Sequence, residues 1–375
     1  MAAGTGVTSV PQTQPTARAR SHNHYQLFVG NSSEIVGTLP LVHTVMTSVP
    51  YFRKRRYGDS AVEIGKDNNP EAFLSDLVTV FNNINLHLQG SVWVNIGDTR
   101  LEKELLMIPE RFAWQMKAAD WKLVEDVIWA KIVDKTDGTT EGQCMIEPAD
   151  NRLNGNGYEH LYRFVKCDPS EAWTDTCAVR IPRQGVESPR YLPEQCMSTH
   201  TAIEGRCLHN VWLIPVTGTR LNHYAQFPIS LCERPIAMTC PMNVCSICGH
   251  LRTRIVEMEP YDDGKTGKRR MGKYSFAEGD ELREHAGRMD AGRSYVPKKP
   301  VTTGWTDCGH NTWTPGIVLD PFMGTATTGE AALRMGRSFI GIDLYDEYVA
   351  MAKQRCAEVL QELDRKGLNP SALER

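Results

Sequence analysis

Leu41-Val42-His43-Thr44-Val45-Met46-Thr47-Ser48-Val49-Pro50-Tyr51-Phe52 is the stretch whose reading decides the fold. Its first half is apolar and β-branched and its second half turns to Ser, Pro and an aromatic, the pattern of a buried strand opening into a loop. Pro50 fixes its own φ and pushes Val49 into an extended conformation, so the polar groups beside it take a stiff geometry. Open α/β sheets place their chemistry in loops at the carboxyl ends of strands. A planar substrate with an amino group would fit here, its N–H groups bonded to the Ser48 hydroxyl and the Val49 carbonyl while Tyr51 stacks on its face. An ordinary strand-to-turn corner reads the same residues as well, so the functional reading needs support from the rest of the chain.

The second informative stretch is Gly316-Ile317-Val318-Leu319-Asp320-Pro321-Phe322-Met323-Gly324-Thr325-Ala326-Thr327-Thr328-Gly329-Glu330. An apolar strand enters a loop of small residues, and a helix begins at Glu330-Ala331. This is the strand–loop–helix arrangement of nucleotide and cofactor sites. Ser338-Phe339-Ile340-Gly341-Ile342-Asp343 then reads as the next strand, ending in an acid where such folds bind ribose hydroxyls. The spacing suits a dinucleotide or S-adenosylmethionine, and a structural turn would also account for the loop. Ala326 replaces the middle glycine of the dinucleotide fingerprint and Asp320-Pro321-Phe322 precedes the loop, which favours S-adenosylmethionine.

Between these stretches the chain alternates strands and helices, the signature of an α/β sheet. Phe73, Leu77, Val80, Phe81, Ile84 and Leu88 have helical spacing behind a start at Asn69-Pro70-Glu71, predicting a helix from Pro70 to Leu88. Further helices are expected over Pro109–Ala119 and from Phe227-Pro228 toward Ile236. Further strands are expected over Gly90–Asp98, Leu123–Trp129 and Val211–Pro215.

With 42 Lys+Arg against 45 Asp+Glu, the net charge of −3 carries no global basic signal, so any nucleic-acid contact must come from local patches. No run of about 18 apolar residues and no apolar signal core occurs, so a soluble, unsecreted protein with no membrane partner is expected. Eleven cysteines, an odd number, favour reduced thiols, with room for a metal site, over a disulfide framework.

Taken together, the two stretches resemble the N4-cytosine/N6-adenine DNA methyltransferases, in the permuted order that puts the catalytic motif before the cofactor loop. Thr47-Ser48-Val49-Pro50-Tyr51-Phe52 looks like T-S-P-P-Y-[FW], and Asp320 to Thr328 looks like D-P-F-x-G-S-G-T-T. Four further segments match in order: Gly90-Ser91-Val92-Trp93-Val94-Asn95-Ile96-Gly97-Asp98, Asp126-Val127-Ile128-Trp129-Ala130-Lys131, His223-Tyr224-Ala225-Gln226-Phe227-Pro228 and Gly336-Arg337-Ser338-Phe339-Ile340-Gly341-Ile342-Asp343. The resemblance implies a Rossmann-like methyltransferase fold with a mixed seven-stranded sheet. It also implies methyl transfer from S-adenosylmethionine to an exocyclic amine of a flipped-out base in double-stranded DNA.

On that resemblance Ser48, Val49, Pro50 and Tyr51 are the catalytic residues. Asn31, Phe227, Pro228, Asp320, Pro321, Phe322, Gly324, Thr325, Thr327, Thr328 and Asp343 are the cofactor residues, and Phe52, Arg53, Lys54, Arg55 and Arg56 the DNA contacts. The basic four could equally be a solvated turn. Family members with Ser at the first catalytic position commonly methylate cytosine N4, so Ser48 leans toward N4-cytosine over N6-adenine. Val49 for proline, Ala326 for glycine and Asn31 for a Gly-Asp pair depart from the pattern and leave room for a DNA-binding protein without turnover. A carbon-5 cytosine enzyme would need a nucleophilic cysteine, typically after proline, and the chain has no Pro-Cys pair. A partner restriction nuclease and a bacterial or phage-encoded cytoplasmic setting are the family's usual company.

Cys245-Ser246-Ile247-Cys248-Gly249 has the shape of a zinc knuckle, and Cys308-Gly309-His310 offers a second pair. Four such ligands would make a structural site, with Cys240 or His250 able to replace one and unliganded thiols as the plain alternative. The expected organisation is a disordered tail over 1–24, a catalytic half over 25–133 and an irregular target-recognition region over 134–209. A cofactor-binding half spans 210–239 and 312–375, split by an insertion over 240–311 that carries the candidate zinc knuckle. The charged, Gly-rich part of that insertion, with the basic run Lys265-Thr266-Gly267-Lys268-Arg269-Arg270, is expected to be mobile.

Overall fold

A computed structural model of the chain describes residues 24–53, 63–65, 69–134, 140–141, 157–180, 208–216, 227–260 and 298–368. The expected tail up to residue 23, Lys54, Arg55, Arg56, His223 to Gln226 and the run from Lys265 to Arg270 lie outside the described residues. The chain opens with strand β1 (Tyr25–Val29), helix α1 (Ser32–Ile35), β2 (Val42–Ser48), α2 (Pro70–Asn82) and β3 (Leu86–Ile96). A small hairpin of β4 (Arg100–Leu101) and β5 (Glu104–Leu105) leads into α3 (Ile108–Ala118), β6 (Lys122–Asp134), β7 (Thr140–Glu141), β8 (Tyr158–Val165) and β9 (Val211–Pro215). Helix α4 (Ile229–Thr239) is followed by β10 (Val244–Cys245), β11 (Arg254–Pro260), β12 (Lys298–Trp305) and β13 (Trp313–Thr314). The last elements are β14 (Ile317–Asp320), α5 (Thr327–Arg334), β15 (Ser338–Asp343) and α6 (Asp346–Arg365).

The main sheet has nine strands in the order β1-β15-β14-β2-β3-β8-β6-β7, with β9 beside β6. The expected mixed character holds, and the expected count of seven falls short. The 13-residue β6 is long enough to pair with β8 and also, toward its carboxyl end, with both β9 and β7. The five strands from β1 to β3 are parallel, and β8 runs against β3 and β6. Strands buried on both faces read as continuous apolar runs. In β2 every residue but Ser48 is buried, so the run from Val42 to Met46 is legible while strict alternation is absent.

Helices cover both faces. Phe73, Leu77 and Phe81 of α2 and Phe112 and Met116 of α3 pack with Val45, Val92 and Val94 on one side. Leu231 and Ile236 of α4, Ala331 and Leu333 of α5, and Cys356 and Val359 of α6 pack with Met46, Trp93 and Phe339 on the other. Helix α2 starts as expected, with the Asn69 side chain accepting from the Glu71 N–H at 2.9 Å and Pro70 in the first turn. It ends six residues before Leu88, because Leu86 already pairs with Val42 in the sheet. Helix α4 begins after Pro228, and α5 begins at Thr327 instead of Glu330.

The region over 134–209 is not irregular throughout. Tyr158–Val165 within it is β8, a strand wedged between β3 and β6, and five of its eight residues are continuously buried from Leu161 to Val165. Glu159 and Arg163 interrupt its apolar pattern yet are buried, because they are paired inside the protein with Lys131 and Ser91, which hides the strand from a periodicity argument. Likewise β1 pairs with β15, so the part of the chain before β2 belongs beside the cofactor loop. Among the described residues no helix is long and apolar enough to cross a membrane.

Candidate active site

The chain leaves β2 toward β3 and leaves β14 toward β15, in opposite directions across the sheet, although β2 and β14 are neighbours. Such a switch point opens a crevice outside the carboxyl ends of the two strands. A cleft of about 1020 Å³, counting its solvent-open mouth, lies there and is lined by both loops found in the sequence. Ser48, Val49, Pro50 and Tyr51 form part of its wall, and Pro321, Phe322, Gly324, Thr325, Thr327 and Asp343 form another.

The β14 side is built on backbone. Asp343, at the end of β15, accepts from the Gly324 N–H at 2.9 Å and the Tyr345 N–H at 3.0 Å. Burial raises its carboxyl above its ordinary value, against the pull of those N–H groups. Arg355 donates to the Thr325 carbonyl and the Thr327 hydroxyl, each at 3.0 Å, pinning the loop from α6. Ser32 donates its hydroxyl to the Pro321 carbonyl and ties α1 to the same corner. Asn31 and Phe227 also line the cleft. The Asn31 carboxamide accepts from Ser33 and caps α1, so the neutral amide does structural duty there.

This wall fits S-adenosylmethionine. A Cβ placed on Gly324 would meet no atom within 4 Å, so the backbone is bare where a ligand would press against it. Aromatic rings at Phe322 and Phe227 and the carboxylate at Asp343 supply an apolar slot and an acceptor for hydroxyls. Glu63, Ile64, Tyr345 and Tyr348 line the cleft too, with the Tyr345 hydroxyl donating to Glu63 at 2.5 Å. Sequence reasoning missed these four; the tyrosines two and five residues after the acid at Asp343 were the available signal for that side.

Three expected cofactor residues sit behind the wall. Asp320 is fully buried, accepting from the Thr47 hydroxyl at 2.7 Å and the Phe322 N–H at 3.1 Å, while its Oδ2 has no hydrogen-bond partner. Burial pushes its carboxyl up to about 6. Thr328 donates to the Met46 carbonyl at 3.2 Å and joins α5 to β2. Pro228 caps α4. Ala326 is buried in the core and has a φ of +61°, so it strains the loop's backbone without crowding the cleft.

On the β2 side, a network of side chains does the positioning. Asn95 Nδ2 donates to Ser48 Oγ at 3.3 Å and to Glu159 Oε2 at 2.6 Å. The Tyr51 hydroxyl donates to the same Glu159 oxygen at 2.9 Å, and Lys131 Nζ reaches the other oxygen at 2.6 Å. Glu159 on β8 is thus the hub that holds both Ser48, through Asn95, and the Tyr51 ring. Gly97 makes room for it, since a Cβ there would lie 3.0 Å from the ring of Tyr51 and 3.2 Å from Glu159. Glu159 escaped the sequence reading. The lysine closing Asp126-Val127-Ile128-Trp129-Ala130-Lys131 was the clue, because a cation ending an apolar strand implies a buried partner.

One expectation about DNA contacts changes. Phe52 is 1% exposed and packs on Phe73 with ring centroids 5.3 Å apart, so it is core and cannot stack on a base. Arg53 is exposed, with a φ of +53° in the turn after Phe52. Cys245, Cys248, Cys308 and His310 come together beside the β11–β12 hairpin and do not line the cleft.

Among known proteins, the type II methyltransferase M.SmaI of Serratia marcescens is 22% identical over 363 residues, 88% of this chain and 90% of its own length. The type II methyltransferase M.XycI of Xanthomonas campestris pv. cyanopsidis is 24% identical over 362 residues, 88% of this chain and 86% of its own. Among solved structures, the cytosine-N4-specific PvuII DNA methyltransferase aligns with a TM-score of 0.49 at 16% identity, covering 91% of this chain and 92% of that one. The family model described as DNA methylase matches residues 42–245 and 310–354, which takes in Ser48 to Tyr51, Glu159, the β14 loop and Asp343. With more than half of its length matched and both motif loops inside that match, the chain belongs to the N6/N4 DNA methylase family.

Proposed function

We propose that the protein methylates the exocyclic N4 of cytosine in double-stranded DNA, acting on a base turned out of the helix. The observation that carries this reading is the shared cleft: Ser48 to Tyr51 face the same space as Gly324 and Asp343. Bound S-adenosylmethionine supplies the methyl group on an electron-poor sulfonium. Asp343 would take ribose hydroxyls, and Phe322 and the Gly324 to Thr328 loop would cradle the rest.

An exocyclic amine is a poor nucleophile, because its lone pair is delocalised into the ring. Ser48 Oγ and the Val49 carbonyl accept its two N–H bonds and favour the pyramidal form, which frees the lone pair. The Tyr51 ring, held by Glu159, stacks on the base. Alignment in this partly apolar cleft supplies most of the rate. The valine at position 49 packs its side chain in the core and keeps the carbonyl that the proposal uses. Arg53, with Lys54, Arg55 and Arg56 following it, would hold backbone phosphates beside the extruded nucleotide. Cytosine is preferred over adenine on the serine at position 48, by the family resemblance. The near-full-length type II relatives support a restriction-modification setting in a bacterial cytoplasm, and a partner nuclease is part of this proposal.

Incubation with methyl-labelled S-adenosylmethionine and double-stranded DNA, followed by digestion to nucleosides, tests the reading. Label in N4-methylcytosine is expected. Label in N6-methyladenine would transfer the same mechanism to adenine, and cofactor binding without label would make the protein a binder only. Ser48→Ala should lower kcat about 100-fold or more while leaving cofactor affinity in place. Full-rate methylation by that variant would remove Ser48 from the mechanism.

A further inference from the structure

We infer that Cys245, Cys248, Cys308 and His310 bind one structural zinc ion that clamps the base of the β11–β12 hairpin. The inference stands apart from the methyl-transfer reading, because it uses no residue of the cleft. The three sulfurs and the imidazole nitrogen all lie within 4.8 Å of one another, with Cys245 Sγ 3.5 Å from His310 Nδ1. Tetrahedral zinc with bonds of about 2.0–2.3 Å sets its ligand atoms roughly 3.5–3.8 Å apart. The set is therefore nearly closed already and needs only small side-chain adjustments. An iron–sulfur cluster holds its protein sulfurs around a core of several atoms, so this spacing suits a single ion. Three thiolates and an imidazole make a closed set with no open position for water, which marks the ion as structural.

The backbone brings the two halves of the set together independently of any metal. Cys245 in β10 pairs with Trp313 in β13, and the Ser246 N–H donates to the Thr312 carbonyl at 3.0 Å. That pairing sets Cys245-Ser246-Ile247-Cys248 beside Cys308-Gly309-His310. The Gly249 N–H donates to the Cys245 carbonyl at 2.9 Å and closes the turn between the first two thiols. The two substitutes suggested by the sequence are otherwise engaged. Cys240 is fully buried in the main core, and His250 is bonded to the Thr306 hydroxyl at 3.0 Å.

Among the described residues the module has little apolar core of its own. Its apolar cluster consists of Val244, Leu251 and the borrowed Trp173. So small a core calls for a staple such as a metal. Zinc joining Cys248 to Cys308 closes the long excursion through the hairpin and removes much of the freedom of its two ends.

Elemental analysis of the full chain, purified under reducing conditions and dialysed against metal-free buffer, should find about one zinc per protein. Cobalt substitution should give thiolate-to-cobalt charge transfer with tetrahedral ligand-field bands. Cys248→Ser and His310→Ala should lose the metal, His310→Cys should keep it with stronger charge transfer, and Cys177→Ser and His250→Ala should keep it unchanged. Stripping the metal from the wild-type chain should speed hydrogen exchange in β11 and β12 while leaving β2 and β14 protected. A wild-type chain with no metal and freely reactive thiols, a disulfide among these cysteines, or loss of metal in His250→Ala would overturn the assignment. Unchanged exchange in the hairpin on stripping would overturn the clamp.

Discussion

The two walls of the cleft are constructed differently. On the β14 side, Asp343, Asp320 and Thr328 bond largely to backbone N–H and carbonyl groups of neighbouring loops and strands. On the β2 side, Ser48 and Tyr51 are held by side chains reaching across β3, β8 and β6, with Glu159 at the centre. A wall of contacts to backbone groups asks little of the side chains on the residues that supply those groups. A wall of side-chain contacts depends on several distant residues at once, and a single loss leaves charges exposed to a low-dielectric interior.

Breaking the second wall should therefore cost the most. Lys131 and Glu159 have side chains 13% and 7% exposed, so Lys131→Met leaves a buried carboxylate without its cation. Losing one partner of such a pair costs about 3–5 kcal/mol. The Lys131→Met/Glu159→Gln double variant should recover a large part of that loss, because it removes the stranded charge. Chemical denaturation of the two single variants and the double variant measures the coupling. Simple additivity would show that the network does not act as a unit. Glu159→Gln alone should lower kcat more than it raises KM for S-adenosylmethionine, since it loosens Ser48 and Tyr51 without touching Asp343.

The first wall contains one charge whose cost is visible in pH. The Asp320 carboxyl titrates at 3.8 when solvated, and burial lifts it to about 6 in the folded protein, against the hydrogen bonds from Thr47 and Phe322. Between those values the native state holds the proton longer than the unfolded chain. The contribution of this group to stability is accordingly greatest below the unfolded value and is lost as pH rises through the folded one, by about 3 kcal/mol. Asp320→Asn removes the titration. The stability of the variant relative to wild type should improve by roughly that amount between about pH 4 and pH 7. A difference that stays flat with pH would mean that burial does not raise the Asp320 carboxyl.

The same contrast explains what could be read in the chain. Asp320-Pro321-Phe322-Met323-Gly324 and Asp343 were legible because a strand, a small-residue loop and a terminal acid are contiguous signals. Ser48-Val49-Pro50-Tyr51 was legible for the same reason. Glu159 was not, because its meaning comes from Lys131, Asn95 and Tyr51, which are brought to it only by the pairing of β8 with β3 and β6. Phe52 was misread as a surface aromatic because sequence fixes neither the direction of the turn at Pro50 nor the arrival of Phe73. The switch point between β14 and β2 was out of reach too, since it is a property of strand order.

The smallest effects test the backbone wall at its most local. Ala326 and Gly324 both occupy the left-handed region, with φ of +61° and +51°. An alanine there costs about 1–2 kcal/mol, while a glycine costs roughly 0.5–1 kcal/mol through the freedom it gives the unfolded chain. Ala326→Gly trades the first cost for the second and also removes one buried methyl from the core, so a gain of only about 0.5 kcal/mol is expected. Gly324→Ala makes the reverse trade, with open space for its Cβ, and should lose about 1 kcal/mol. It should also weaken S-adenosylmethionine binding, because the added methyl stands where the bare backbone would meet the ligand, whereas Ala326→Gly should leave that affinity alone. Neither position shares a hydrogen-bond partner with Lys131 or Glu159, so both changes should add to Lys131→Met without coupling. Thermal unfolding of the combined variants decides it: coupling between Ala326→Gly and Lys131→Met would show that the two walls are one structure.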